Sequence, residues 1–137
     1  MGQFISSTGN IKVISPKDCG NAPKKLQLQE LTIAFASLKI DAIKENLSDD
    51  IVWEIVGEKH LQGKDSFVRK LKEMAYRQVT EIHILNIITH GSTGSINGKM
   101  TFNDGSSLGF CDVYTFTGAG RKAKIKEITS YIIHFAK

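Results

Sequence analysis

Four long segments in the second half of this chain have the composition of β-strands, and they restrict the fold more than any other feature of the sequence. They are rich in β-branched and aromatic residues and are separated by the turn sequences GSTG, NDGS and TGAG. They cover residues 79–90, 95–102, 107–116 and 124–135. In the second turn, Asp104-Gly105 supplies the positive φ angles that a tight hairpin needs. Strands joined by such short turns predict an antiparallel meander.

One pair of turn-forming residues falls inside the second of these segments. Asn97-Gly98 is a turn signal on composition alone. A bulge within a curved strand explains the same pair equally well, so both interpretations stay open.

The first half of the chain has the apolar spacing of helices. One amphipathic helix is predicted from residue 24, a short second helix has Asp41 as its cap, and a third spans residues 64–76 with Asp65-Ser66 as its cap candidates. A strand is predicted at residues 51–56. The apolar positions that define the helical faces are Leu28, Leu31, Phe35, Leu38, Ile43, Leu47, Phe67, Leu71 and Met74. Helices followed by a meander predict an α+β fold, with about three helices packed on one face of a bent sheet.

The size of the chain fits one globular domain. Its 137 residues have a hydrophobic content of 41%, which is enough for a core of its own. Residues 1–23 contain Gly, Pro, Ser and Asn and are interpreted as an N-terminal arm with one short strand near residues 11–14. Residues 24–137 then form the single domain.

Charge, hydropathy and cysteine content exclude several classes of function. The net charge of +4 is mild, and the basic run RKAKIK has no interleaved aromatic residues, so no nucleic acid partner is expected. No apolar run could cross a bilayer and no secretion signal is present, so a soluble, cytoplasmic protein is predicted. Cys19 and Cys111 are predicted to be free thiols, with a disulfide between them left open. The four histidines form no metal-binding pair, so neither a metal nor a cofactor is expected.

The element order over residues 24–135 resembles the nuclear transport factor 2-like superfamily, which includes SnoaL-like polyketide cyclases and ketosteroid isomerases. The segments SDDIVWEIVG, LQGKDSFVRKL and FCDVYTFTGAGRKAKIKEI carry this resemblance. DCGNAPKK and ITHGSTGSING are further similar to a stand-alone bacterial branch of unknown function. The resemblance implies a cystatin-like cone, in which a curved antiparallel sheet and helices enclose an apolar pocket. It also implies a homodimer formed through the sheet face.

The strand at residues 107–116 places an aspartate among large apolar side chains. Strand alternation puts Leu108, Phe110, Asp112, Tyr114 and Phe116 on one face. If that face lines the pocket, burial raises the pKa of Asp112, and a neutral carboxylic acid can donate a hydrogen bond to a carbonyl or enolate oxygen. By the run DVYTFTGAG, Asp112 resembles the acid that ketosteroid isomerases use in this way. The alternative is a structural hydrogen bond within the sheet.

The resemblance leaves the catalytic base of the isomerases ambiguous by one residue. Counting back from Gly57 places it at Glu54, whereas counting forward from Asp49-Asp50 places it at Ile55. Neighbouring strand residues face opposite sides of the sheet, so Trp53 and Ile55 share one face and Glu54 lies on the other. The choice therefore decides whether Glu54 or Trp53 faces the pocket. Trp53 is predicted to be the pocket wall, because a lone tryptophan beside Val and Ile is usually core or pocket lining. A catalytic Glu54 is the alternative.

The predicted ligand-binding residues are aromatic. The isomerases carry an oxyanion-binding tyrosine in the first helix, where this chain has Phe35. Besides Trp53, the other predicted contacts are Phe35, Phe110, Tyr114 and Tyr131. Two functional hypotheses follow. The first is a protein that binds a small, mostly apolar ligand without turnover. The second is an acid/base enzyme, an isomerase, cyclase or related activity, that uses Asp112 as a neutral acid.

Overall fold

The computed structural model describes residues 3–16 and 22–136, and this part of the chain contains eight strands and three helices. The strands are β1 Gln3–Thr8, β2 Ile11–Pro16, β3 Leu47–Ile55, β4 Lys59–Gln62, β5 Val79–His90, β6 Thr93–Phe102, β7 Ser107–Phe116 and β8 Ile125–Phe135. The helices are α1 Pro23–Ser37, α2 Ile40–Asn46 and α3 Lys64–Met74.

The strands form one curved sheet in the order β1-β2-β5-β6-β7-β8-β3-β4. β5, β6, β7 and β8 pair antiparallel with their neighbours in sequence, as predicted for the meander. Two pairs are parallel, β2 with β5 and β3 with β8. The parallel pairs attach the N-terminal hairpin and the β3–β4 hairpin to opposite sides of the meander.

The sheet bends where two strands approach each other closely. Asn97-Gly98 lies inside β6, so the interpretation as a turn is wrong. The register between β5 and β6 shifts between Ile84 and Asn86, opposite this pair, which is the irregularity of a β-bulge. A Cβ atom at Gly98 would lie 2.2 Å from the backbone oxygen of His83. Glycine is therefore required for this approach.

Several boundaries differ from the sequence prediction. β3 begins at Leu47 rather than at residue 51, and β4 was not predicted because its four residues show no apolar alternation. The predicted strand near residues 11–14 is present as β2, and β1 pairs with it. These two strands belong to the same sheet as the rest of the chain, while the division into an arm and a domain at residue 23 stays a prediction.

The predicted helix caps are wrong. α2 begins after Lys39 and α3 after Gly63, and neither has a side-chain cap hydrogen bond. Asp41 and Asp65 are the second residues of their helices and lie within the first turn, where a carboxylate still interacts favourably with the positive end of the helix. Gly63 takes this place because its φ of 91° is a conformation that other residues rarely adopt.

The helices cover one face of the sheet, and the apolar core lies between the two layers. α1 packs against β5 and β6, and α3 packs against β3. An aromatic cluster joins the layers: the ring of Phe67 lies 5.6 Å from that of Phe35 and 4.4 Å from that of Trp53, measured between centroids. The predicted α+β architecture, with three helices on one face of a bent sheet, is confirmed.

Candidate functional site

A cavity of about 100 Å³ lies between the helices and the concave face of the sheet. At about 10–15 Å³ for each water-sized sphere, it has room for roughly seven to ten water-sized groups. It is lined by Phe35, Ala36, Trp53, Leu71, Met74, Ala75, Arg77, Val79, Met100, Phe102, Leu108, Phe110, Asp112, Ile128, Ser130 and Ile132. Most of this wall is apolar, so its few polar groups determine which ligand can enter.

β7 places Asp112 in the wall of the cavity through simple strand alternation. Leu108 and Phe110 line the cavity with it, whereas Cys111 points to the opposite face, where its sulfur lies 3.7 Å from the Ser95 hydroxyl. Asp112 is paired across the sheet with Ile96 on β6 and with Ser130 on β8. The carboxyl group is thus held on the central strands of the sheet rather than on a loop.

A short hydrogen-bond chain ends at this carboxyl group. The indole N–H of Trp53 donates to the Ser130 hydroxyl oxygen at 2.9 Å, within the core. The Ser130 side chain is in turn hydrogen bonded to Asp112. Because Ser130 already accepts from the indole, its own proton is directed at the Asp112 carboxylate.

The pKa of Asp112 is raised from 3.8 to about 6. Burial in the apolar wall is the larger cause, since it disfavours the charged form, and the hydrogen bond from Ser130 lowers the pKa by less. With a pKa of about 6, about one molecule in ten carries a protonated Asp112 at pH 7. The group changes charge close to neutral pH, and it is mostly a carboxylate there.

Tyr114 lies two residues further along β7 and is fully buried beside this site. Burial raises its pKa well above the usual value, and the negative charge of Asp112 raises it further. The phenol therefore stays protonated. The Tyr114 hydroxyl is buried without a hydrogen-bond partner among the described residues. Tyr114 is not among the residues that line the cavity, so its hydroxyl is not offered to a ligand there.

Glu54 lies on the other side of β3. Its carboxylate is 2.6 Å from Nδ1 of His60 on β4, and the two side chains are 42% and 63% exposed. Trp53, the neighbouring residue, is only 5% exposed and lines the cavity. The structure therefore does not bring Glu54 to Asp112, and the exposed pair with His60 contributes little to stability.

Four of the predicted site residues meet at the cavity: Asp112, Trp53, Phe35 and Phe110. Glu54 and Tyr114 do not, and Tyr131 is half exposed on the outer face of β8. The sequence analysis did not identify Ser130. The signal was present, because Ser130 lies between Ile128 and Ile132 on the inward face of β8, as Asp112 lies between large apolar residues on β7.

Arg77, in the connection from α3 to β5, was also missed. Its guanidinium carbon lies 3.9 Å from the ring centroid of Phe102 and 4.7 Å from that of Tyr76. Nη1 donates to the Ser106 hydroxyl at 2.6 Å, and that hydroxyl donates to Asp104 at 2.5 Å. Nε is buried without a hydrogen-bond partner.

Other kinds of site are not seen in the described part of the chain. Residues 3–16 and 22–136 contain no group of three or more His, Cys, Asp or Glu side chains that could hold a metal ion. Across the same residues, no helix is long and apolar enough to span a membrane. Cys111 is a free cysteine, while Cys19 lies outside the described residues.

The architecture is similar to that of known proteins. No protein-family profile and no curated protein matches the sequence. An NTF2-like protein of unknown function from Cytophaga hutchinsonii is 26% identical, with a TM-score of 0.58 over 77% of this chain and 95% of that one. A putative ketosteroid isomerase from Kribbella flavida has a TM-score of 0.68 at 9% identity, over 84% and 81% of the two chains. An LEH-like epoxide hydrolase from M. tuberculosis has a TM-score of 0.62 at 20% identity, over 77% and 75%.

The curved sheet, the three helices on its concave face and the cavity between them define an α+β cone. The similarities in structure identify this cone as the nuclear transport factor 2-like fold. The chain belongs to the nuclear transport factor 2-like superfamily.

Proposed function

We propose that this chain binds a small, mostly apolar molecule in the cavity and holds an oxygen atom of that molecule with Asp112 and Ser130. The observation that carries the proposal is a titratable carboxyl group, fixed by a hydrogen-bond chain, in an otherwise apolar wall. Concave apolar sites with a few convergent polar groups are the usual form of small-molecule sites. A carbonyl or hydroxyl group on the ligand would meet these two polar groups in the cavity.

Binding without turnover fits the polar groups of this wall better than catalysis does. Moving a proton between two positions of a substrate is commonly shared between an acid and a base that reach the same ligand. Among the described lining residues, Asp112 is the only carboxyl group and no histidine is present. Arg77 brings a guanidinium group, which offers hydrogen-bond donors and no acceptor.

An acid/base enzyme, such as an isomerase or cyclase, is the alternative. A pKa of about 6 favours it, because a group that titrates near neutral pH can both take and return a proton. Proteins of the same fold include a putative ketosteroid isomerase and an LEH-like epoxide hydrolase. In this alternative, Asp112 alone would remove and replace a proton beside a carbonyl group.

We further propose a homodimer formed through the outer face of the sheet, in keeping with the superfamily. This outer apolar face, opposite the cavity, consists of Ile88, Val113, Tyr131, Ile133 and Phe135, all of which are exposed. Exposed apolar patches of this kind are typical of protein interfaces. A cytoplasmic location stays the prediction made from the sequence.

A titration with 2-nonanone, followed by methyl NMR, tests the binding proposal. This ketone has ten non-hydrogen atoms, about as many as the cavity has room for. We expect shifts at Leu108 and Ile128, and a roughly tenfold weaker affinity in Asp112→Leu, because a hydrogen bond to a charged group is lost. Asp49→Asn, at a fully exposed carboxylate, is the control. Shifts that spread over the surface, or equal affinity in Asp112→Leu, would contradict the proposal.

The same ketone separates binding from turnover. If Asp112 acts as a base, incubation of the ketone with the protein in D₂O exchanges the hydrogens beside the carbonyl group for deuterium faster than buffer alone does. Asp112→Asn would then bring the exchange rate back to that of buffer. We expect no exchange above the rate in Asp112→Asn. Measurable exchange that depends on Asp112 would support the enzyme in place of the binding protein.

A further inference from the structure

The cavity has a second polar end, and it carries the opposite charge. Arg77 lines the cavity together with Asp112. Its guanidinium group lies over Phe102, the last residue of β6, whereas Asp112 is paired with Ile96, six residues earlier on the same strand. A carboxyl group and a guanidinium group thus mark opposite ends of one apolar space.

Arg77 also faces the outside of the molecule. It borders an open groove formed by the β1–β2 turn, the end of α1 and the connection from α3 to β5. Ala36, Ala75 and Val79 line both the groove and the cavity, as Arg77 does. The two spaces therefore meet at Arg77, which lies at the mouth of the cavity, while Asp112 lies at its deep end.

The guanidinium group of Arg77 makes a side-chain hydrogen bond and has one donor left over. Nη1 donates to the Ser106 hydroxyl, which in turn donates to Asp104. Nε is buried without an acceptor, which is costly for a cationic donor. Contacts with Phe102 and Tyr76 hold the group in place, so it is preorganised for an anion.

We propose that the ligand is an amphiphilic carboxylate: its carboxylate group binds Arg77 at the mouth, its apolar chain fills the cavity, and a second oxygen reaches Asp112 and Ser130. This inference rests on the proposed function and specifies its ligand. The orientation follows from charge, because a carboxylate placed at the deep end would meet the Asp112 carboxylate. Guanidinium groups bind carboxylates through two parallel hydrogen bonds, which require little rearrangement when the group is already fixed.

Methyl-ketone acids of increasing length test this arrangement. The probes are 5-oxohexanoate, 8-oxononanoate and 11-oxododecanoate, each compared with its own methyl ester, and 2-nonanone serves as the neutral reference. Affinities are measured by NMR titration at pH 7. At one chain length we expect the acid to bind about tenfold more tightly than its ester, because a charged hydrogen-bond pair is gained.

Two matched variants connect this gain to Arg77. Arg77→Gln should abolish the preference for each acid over its own methyl ester, a comparison made within one variant. Arg69→Gln makes the same change of charge at an exposed position of α3 outside the cavity, and it should keep the preference. If Arg77→Gln fails to fold, the Nε–H resonance of Arg77 in the unaltered protein provides the readout, and it should shift with the acid and not with the ester.

The outcomes distinguish this inference from the function on which it rests. If 2-nonanone binds but no acid exceeds its ester, or if the gain survives in Arg77→Gln, the carboxylate inference is wrong and the proposed function stands. If neither the neutral ketone nor any acid shifts the resonances of the cavity, both are wrong. A gain that Arg77→Gln removes and Arg69→Gln keeps supports the inference.

Discussion

Trp53 and Asp112 lie on strands that are not neighbours, and the Ser130 hydroxyl on the strand between them connects the two side chains. The indole N–H donates to the hydroxyl, and the hydroxyl is hydrogen bonded to the carboxyl group. Three strands, β3, β8 and β7, therefore fix the one carboxyl group in the described wall of the cavity.

The hydrogen bond from Ser130 should control the pKa of Asp112. Carbon-detected NMR titration is expected to give a value of about 6 for Asp112, with Asp112→Asn identifying the resonance. Ser130→Ala should raise the value further, because it removes the group that stabilises the carboxylate. Ser95→Ala, at a serine that contacts Cys111 on the opposite face, should leave it unchanged. An unshifted Asp112, near 3.8, would contradict this account of the site.

The raised pKa of Asp112 should make the protein less stable as the pH rises. Between the unfolded value near 3.8 and the folded value near 6, the folded state binds more protons than the unfolded state, so the free energy of unfolding falls through this range. A shift of about two units corresponds to about 3 kcal/mol. Urea unfolding from pH 4 to pH 7.5 should show that Asp112→Asn gains about this much relative to the unaltered protein. Parallel pH profiles for the two proteins would disprove the linkage.

The close approach of β5 and β6 should make one glycine irreplaceable. In Gly98→Ala the new Cβ would lie 2.2 Å from the His83 backbone oxygen, so we expect a loss of roughly 3 kcal/mol or more. Gly109→Ala, on the next strand, is the matched control, since its Cβ would lie 3.6 Å from the Phe135 ring, an ordinary contact. Urea unfolding measures both variants, and similar midpoints would refute the steric argument.

The outer apolar face should mediate the proposed dimer. Ile133 is 65% exposed there, and a lysine at this position would have to be desolvated in the interface. Light scattering should show a dimer for the unaltered protein and a monomer for Ile133→Lys. Val56→Lys is the control, because Val56 is 46% exposed but follows β3 and lies outside this face. A dimer that survives Ile133→Lys would exclude this face as the interface.

The sequence predicts those parts of the site that follow from local periodicity. Alternation along β7 identifies Asp112 because every second residue of that strand is large and apolar. It does not settle Trp53 against Glu54, because a shift of one residue exchanges the two faces and the register depends on pairing with β8, far away in sequence. The place of Arg77 in the cavity wall could not be predicted from the sequence. It depends on contacts with Phe102 and Ser106, which are distant in sequence and approach Arg77 only in the folded chain.

The place of β8 in the sheet has a consequence for how the protein is made. β8 is the last strand described, yet it lies between β7 and β3, and β3 and β4 join the sheet only through it. In a growing chain on the ribosome, β3 and β4 therefore stay unpaired with the meander until β8 has emerged, and unpaired strands are prone to aggregation. Ser130 arrives with that strand. The wall of the cavity and the hydrogen bond from Ser130 to Asp112 are therefore completed in the same late step that joins the two parts of the sheet.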